Sequence, residues 1–205
     1  MKIVIIGPQG SGKGTQGQLL EKYGMKHISL GNYFRERADK GDALGIQAKE
    51  YWKNGNLVPD KLVLVMLKQA LGNSKKFVLD GFPRSIEQAK ALDSITQIDK
   101  AIYLEISDKT SIKRLSSRKQ CKCGVLYGLE QPEKIKGKCD KCGSTLFVRE
   151  DDKPEAISNR LKQYHEITEP VLAFYEKKAL LKRVDGEKSV EAIHNNIKKI
   201  LGVQK

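Results

Sequence analysis

Residues 2–20 read KIVIIGPQGSGKGTQGQLL, and this arrangement restricts the fold more than any other part of the chain. Lys2 to Gly7 form a short, β-branched apolar run that suits a strand buried on both faces of a parallel sheet. A glycine-rich turn follows, and then the helix-like QGQLLEKYG. Gly7 and Gly12 bracket four residues and Lys13 comes next. Backbone N–H groups in such a turn can wrap a phosphate, the lysine ammonium can reach the terminal phosphates, and the helix N-terminus adds positive potential at the same place. A glycine turn with an incidental lysine is the competing reading, and the strand before it and the helix after it argue against that. Gly14 stands where serine or threonine usually follows the lysine, with Thr15 one place later.

Downstream the same grammar recurs. In KKFVLDGFPRSIEQAK, Lys76 to Leu79 read as a second buried strand with Asp80 at its carboxyl end, where open α/β sheets bind ligands. An aspartate there can hold magnesium or cap a helix. A helix after Pro83 would place Arg84 and Gln88 four apart on one face, an arginine fit for phosphate and an amide fit for a base edge. Between His27 and Val58 two helical stretches, Asn32 to Lys40 and Ala43 to Asn54, are closed by Gly41 and Gly55. Tyr33, Phe34, Tyr51 and Trp52 fall at helical spacing, so core packing is a better account of them than base stacking. Ala101 to Ile106 predict a further strand, and DKTSIKRLSSRK a basic helix with Arg114 and Arg118 one turn apart. VREDDKPEAISNRLKQYH supplies Arg149 and Arg160, with Asp151 or Asp152 as a cap and Pro154 opening a long helix. LLKRVDG reads as a last strand and SVEAIHNNIKKIL as a closing helix. Alternating strands and helices predict a mostly parallel sheet covered on both faces.

On the GKGT and DGFPR motifs, in this order, the chain resembles the adenylate kinase family in its long-lid form, from Lys2 to Leu201. The resemblance implies an α/β P-loop kinase with a small helical acceptor-nucleotide domain and an inserted lid. Its core would be residues 1–28, 59–118 and 153–205, the acceptor domain 29–58 and the lid 119–152. The reaction implied is reversible transfer of the terminal phosphoryl group from Mg-ATP to AMP, giving two ADP. Lys13, Arg84, Arg118, Arg149 and Arg160 would be catalytic. The donor ATP would meet Gly10, Ser11, Gly12, Lys13, Gly14, Thr15, Arg114, Arg118, Leu126, Tyr127 and Lys188. The acceptor AMP would meet Leu30, Arg35, Asn56, Leu57, Val58, Gly81, Phe82, Pro83, Arg84, Gln88, Arg149 and Arg160. Magnesium would associate with Thr15 and Asp80. Leu30 occupies a place where the family usually has threonine, and Asn32 one where it has aspartate, so another nucleoside monophosphate is the alternative acceptor.

Four cysteines, Cys121, Cys123, Cys139 and Cys142, lie in one segment. Between Gln120 and Glu150 there is too little apolar material for an independent core, so something else must hold the segment together. A reducing compartment disfavours disulfides, and a bridge between Cys121 and Cys123 would be strained. Four thiolates on one structural Zn²⁺ answer both points, with unligated or redox-active thiols as the alternative. One residue separates the first pair and two the second, as if one had been deleted from the family's zinc lid. His27, His165 and His194 are scattered and receive no metal or catalytic role.

A chain of 205 residues allows one domain with small insertions. It has no apolar run long enough for a membrane span, and its start does not read as a secretory leader, so a cytoplasmic location is the expectation; a monomer is expected as well. The formal charge of +13 favours polyanionic partners. A zinc-ribbon nucleic-acid binder would share the charge and the cysteines but has no use for the phosphate loop and DGFPR. A nucleotide switch that uses water as acceptor would not need Arg35 and Gln88. Nucleotides, rather than nucleic acid or membrane, are the expected partners.

Overall fold

The computed structural model describes residues 1–203. Strand β1 (Lys2–Ile6) occupies the middle of a five-stranded sheet. The others are β2 (Lys26–Ser29), β3 (Phe77–Asp80), β4 (Lys100–Glu105) and β7 (Leu181–Asp185), in the order β2-β3-β1-β4-β7 with every neighbouring pair parallel. Alternation along β1 divides the core in two. Val4 and Ile6 join Leu79, Met66, Leu67 and Leu92 on one face, while Ile3 and Ile5 join Leu20, Ile102, Ile193 and Ile197 on the other. The predicted sheet buried on both faces is what forms. In the β1–β3 register Ile5 lies opposite Asp80, so the loop after β1 and the aspartate ending β3 emerge together at the carboxyl edge.

Helix α1 (Lys13–Leu20) leaves the glycine loop, α2 (Leu30–Asp39) and α3 (Ala43–Trp52) follow β2, and α4 (Asp60–Leu71) precedes β3. Asp42 caps α3 by accepting from the N–H groups of Leu44 and Gly45 at 3.1 Å. A Cβ on Gly45 would run into the backbone of Arg37 and Ala38, so this glycine is what lets α3 pack so closely on α2. Next come α5 (Ile86–Ile95) and α6 (Asp108–Ser116), capped by Ser85 and Ser107. In the cysteine segment β5 (Lys119–Gln120) pairs antiparallel with β6 (Leu126–Tyr127). The return passes through a 3₁₀ turn at Glu150–Asp152 into α7 (Pro154–Gln163), and α8 (Val171–Lys177), β7 and α9 (Val190–Leu201) complete the chain.

Four expectations need correction. Strand β2 was not foreseen, because KHIS is short and carries Lys26 and His27; its pairing to β3 holds it in the sheet. Arg84 precedes α5 instead of lying on it, since Ser85 is the cap. Asp151 and Asp152 do not cap α7, whose N-terminal flank is Lys153 with Pro154 in the first turn. Finally, the long helix from Pro154 is interrupted by a π turn, Tyr164–Thr168, ahead of Pro170. There the Thr168 hydroxyl leaves its own helix and donates to the Arg84 carbonyl at 2.9 Å.

Candidate active site

The phosphate loop takes its shape from glycines. A Cβ at Gly7 would sit 2.5 Å from the Leu104 carbonyl oxygen, and Gly12 has φ +93°, in the left-handed region. Gly14, the departure from the usual pattern, also has a local reason: a Cβ there would come 3.3 Å from the Asp80 Oδ2. The loop surrounds the Lys13 ammonium, which donates to the carbonyls of Gly7 at 2.8 Å and Pro8 at 2.7 Å. Burial lowers the Lys13 pKa to about 7; Arg84, Arg160 and Arg118 push the same way and Asp80 opposes them. Burial works against the Asp80 carboxylate, but His27 and Lys13 outweigh it and hold its pKa below the ordinary value. His27 Nε2 lies 3.7 Å from Asp80 Oδ2.

A cleft of about 210 Å³ collects residues that are remote in sequence. Gly10 to Thr15, Asp80, Gly81, Arg84, Arg114, Arg118, Leu126, Tyr127, Arg149 and Arg160 all line it. A second pocket of about 60 Å³ opens beside it, lined by Leu30, Arg35, Asn56 to Val58, Gly81, Arg84, Gln88 and Arg160. Arg35, Gly81, Arg84 and Arg160 border both cavities, so the two meet at a wall of guanidinium groups. That is the layout two phosphorylated ligands need in order to face each other. Phe34 and Trp52 pack with their ring centroids 6.1 Å apart, and both also line the smaller pocket.

Three predicted residues are placed differently from the rest. Phe82 and Pro83 face a cavity of about 30 Å³ behind Lys13, where Phe82 is core. The Lys188 side chain is exposed and lies 3.7 Å from Asp185, outside the cleft lining, to which Val190 and Ile193 contribute instead.

Sequence reasoning missed the acids that organise the arginines. Asp152, with a fully buried side chain, accepts from Arg118 at 2.8 and 2.6 Å and from Arg160 at 3.1 Å. Asp151 accepts from Arg35 at 2.8 Å and pairs with Arg160 at 3.1 Å. Burial disfavours the Asp151 carboxylate, but Arg35 and Arg160 overcome this and drive its pKa far down. Arg149 donates to Gln120 and has its pKa well below the usual arginine value because of burial and the adjacent Arg35 and Arg118. Arg114 binds Glu130 of the cysteine segment at 2.8 Å and the Gly186 carbonyl at 2.9 Å. The one available signal was an adjacent acid pair placed between the basic stretches that carry these arginines.

The four sulfur atoms lie within 4.8 Å of one another. Cys121 and Cys142 are 3.4 Å apart and Cys123 and Cys139 3.6 Å, too far for disulfides and close to the edge of about 3.8 Å that a tetrahedron of Zn–S bonds would give. The Tyr127 hydroxyl donates to Cys139 at 3.4 Å, and this bond is the main reason the Cys139 pKa is lowered to about 6. Apolar support is small, as expected: Cys121, Tyr127, Cys139 and Leu146 with Val125, while Phe147 is 43% exposed and stands outside this cluster. Among the described residues no helix is long and apolar enough to cross a membrane.

Known proteins are similar to this chain along nearly its whole length. A family model described as adenylate kinase matches residues 5–180. An adenylate kinase of Thermodesulfovibrio yellowstonii is 45% identical over 98% of this chain and 99% of its own length. Those of Methanothrix thermoacetophila and Agathobacter rectalis are 42% and 45% identical, again over 98% of this chain and 98% and 100% of theirs. With the phosphate loop, the paired cavities and the arginine wall on one chain, and likeness running nearly end to end, the protein belongs to the adenylate kinase family.

Proposed function

We propose that the larger cleft takes the donor and the smaller pocket the acceptor, with the arginine wall between them as the place of phosphoryl transfer. As an adenylate kinase, the chain moves the terminal phosphoryl group of Mg-ATP to AMP and back. The observation that carries the division of labour is that Arg35, Gly81, Arg84 and Arg160 border both cavities. Phosphoryl transfer asks little covalent chemistry of the protein and much positive charge around the moving group. Lys13 and the loop amides meet the donor phosphates, and Arg118, Arg149 and Arg160 neutralise charge that passes between the two nucleotides. Arg84 and Arg35 hold the acceptor phosphate, and Gln88 reads its base. Thr15 and Asp80, both lining the larger cleft, are the residues that would hold magnesium, which would neutralise part of the donor phosphates' charge.

Residues 29–58 act as the acceptor domain and 119–152 as the lid, joined to a core of 1–28, 59–118 and 153–205. Backbone near Leu126 and Tyr127 meets the donor nucleotide, and Lys188 approaches its base by backbone alone. The sulfur cluster fits one structural zinc, which would supply the folding free energy that the lid's few apolar residues cannot. One chain supplies both cavities, which favours a monomer as the working unit, and cysteines not joined in disulfides, with nucleotide substrates, fit the cytoplasm. ATP turnover assayed with and without AMP, CMP, UMP and GMP tests the reading. Turnover should require the second nucleotide and be greatest with AMP; hydrolysis indifferent to it would refute the two-cavity assignment.

A further inference from the structure

Gln88 is 2% exposed, and its amide is already committed at two atoms. Its Oε1 accepts from the Arg84 backbone N–H at 2.8 Å, and its Nε2 donates to Asp60 Oδ1 at 2.6 Å. A backbone N–H can only donate and a carboxylate can only accept, so the two partners together fix which end of the amide is which. Asp60 stands at the start of α4, directly after Pro59, and no sequence motif drew attention to it. With one lone pair and one N–H used, one of each remains on a residue that lines the smaller pocket.

We propose that Asp60 is a positioning residue that sets base specificity, by pinning the Gln88 amide in the single orientation that matches adenine. This rests on the reading of Gln88 as the group that meets the acceptor base. Adenine presents an amino donor beside a ring-nitrogen acceptor, and cytosine shows the same order. Guanine and uracil present a carbonyl acceptor beside an N–H donor, the reverse. A freely turning glutamine amide could serve either order by flipping through a half-turn. Flipping here would set Oε1 against the Asp60 carboxylate and the amide NH₂ against the Arg84 N–H. Both contacts would then be repulsive, and a buried side chain has no water to relieve them. The pinned amide therefore offers the pocket one fixed order of acceptor and donor, so among bases held in the same orientation one that matches adenine is mismatched at both atoms to guanine and uracil.

Asp60→Asn tests this, because an asparagine amide can donate to Oε1 as readily as accept from Nε2 and so removes half of the penalty for flipping. The measurement is kcat/KM for AMP and for GMP in the wild type, Asp60→Asn, Gln88→Leu and the double variant, with thermal midpoints alongside. The expected result is a fall of about tenfold in the AMP-to-GMP preference for Asp60→Asn, the scale of a hydrogen bond to a charged partner. No further fall should come from adding it to Gln88→Leu. A preference unchanged in Asp60→Asn but lowered in Gln88→Leu overturns the pin and leaves Gln88 as the reader. A preference unchanged in both overturns the pin and the base-reading role together. A lowered midpoint with an unchanged preference assigns Asp60 to helix stability alone and also overturns the proposal.

Discussion

Lys13→Met separates two consequences of one ammonium group. Taken at face value, the drop in the Lys13 pKa from 10.5 to about 7 corresponds to about 5 kcal/mol of unfavourable burial in the folded protein. The residue is only partly buried and faces the cleft, so solvent screening reduces this to on the order of 1 to 3 kcal/mol. The sign follows from proton counts. Between about pH 7 and 10.5 the unfolded chain keeps the lysine proton and the folded chain has released it, so this group's contribution to stability rises with pH across that window. Below the window both forms are protonated and the full penalty stands. Urea unfolding of the wild type and Lys13→Met should therefore show the stability difference moving in favour of the wild type by about 1 to 3 kcal/mol between about pH 6.5 and about pH 10. Taking the difference cancels titrations common to both proteins, and following its change with pH removes the constant part of the loss of the bonds to Gly7 and Pro8. Turnover should fall by about a hundredfold or more, the cost of about 3 kcal/mol of transition-state charge stabilisation. A pH-independent stability difference would refute the buried-ammonium argument, and near-normal turnover would refute the phosphate loop's part in the chemistry.

Arg84→Ala should lower kcat/KM for AMP by about a hundredfold or more while ATP affinity stays within a few-fold, because the proposed partner of Arg84 is the acceptor phosphate although the residue lines both cavities; equal weakening of both nucleotides would count against this. Protein purified without added zinc should carry about one zinc per chain, and Cys142→Ser should lower the thermal midpoint by several degrees while ATP still binds; a metal-free protein with an unaffected lid would end the zinc assignment. Leu30→Thr should cost about 1 to 3 kcal/mol in denaturant unfolding, since Leu30 is 2% exposed within the main core, while modestly tightening AMP; unchanged stability would remove Leu30 from the packing. Asp152→Asn should destabilise by about 3 kcal/mol or more, by leaving Arg118 and Arg160 buried against each other, and ATP should raise the variant's thermal midpoint by more than the wild type's; equal shifts would show that the carboxylate does not balance those arginines.

What was legible in the sequence was local. The β1 run is continuous and ends on glycines, so strand and phosphate loop announce each other, and DGFPR follows another buried strand. β2 was hidden because its four residues include Lys26 and His27, and only pairing with β3 makes them a strand. The π turn was hidden because its benefit, the Thr168 bond to Arg84, spans 84 positions. Asp151 and Asp152 read as helix caps because capping is the local use of an aspartate before proline. Their partners Arg35 and Arg118 lie 116 and 34 positions away, a separation no local pattern encodes. The sulfur cluster was legible through spacing and composition alone, since nothing else in the segment could hold it together.

The arginine wall also explains why the acids had to be there. Arg35, Arg118, Arg149 and Arg160 are brought together with too little water to screen them, and burial with mutual repulsion lowers the pKa of Arg160 to about 10 and that of Arg149 well below its usual value. Four such cations without counter-charge would push apart the elements that carry them, α2, the flanks of the cysteine segment and α7. Asp151 and Asp152 offset part of that repulsion, and they do so with the same guanidinium groups that the proposed reaction turns toward phosphate. A carboxylate carries one charge and two acceptor oxygens, and a phosphate group carries more of both, so nucleotides can draw these arginines without the acids leaving. Positive charge in excess of the two acids remains at the boundary of the two cavities, which Arg35, Arg84 and Arg160 all line and where the proposed transfer takes place. Full neutralisation by more acids would stabilise the fold and weaken that field. The site keeps an incomplete balance, and on the proposed assignment the poor solvation of the arginines in the protein is what favours their pairing with the group being transferred.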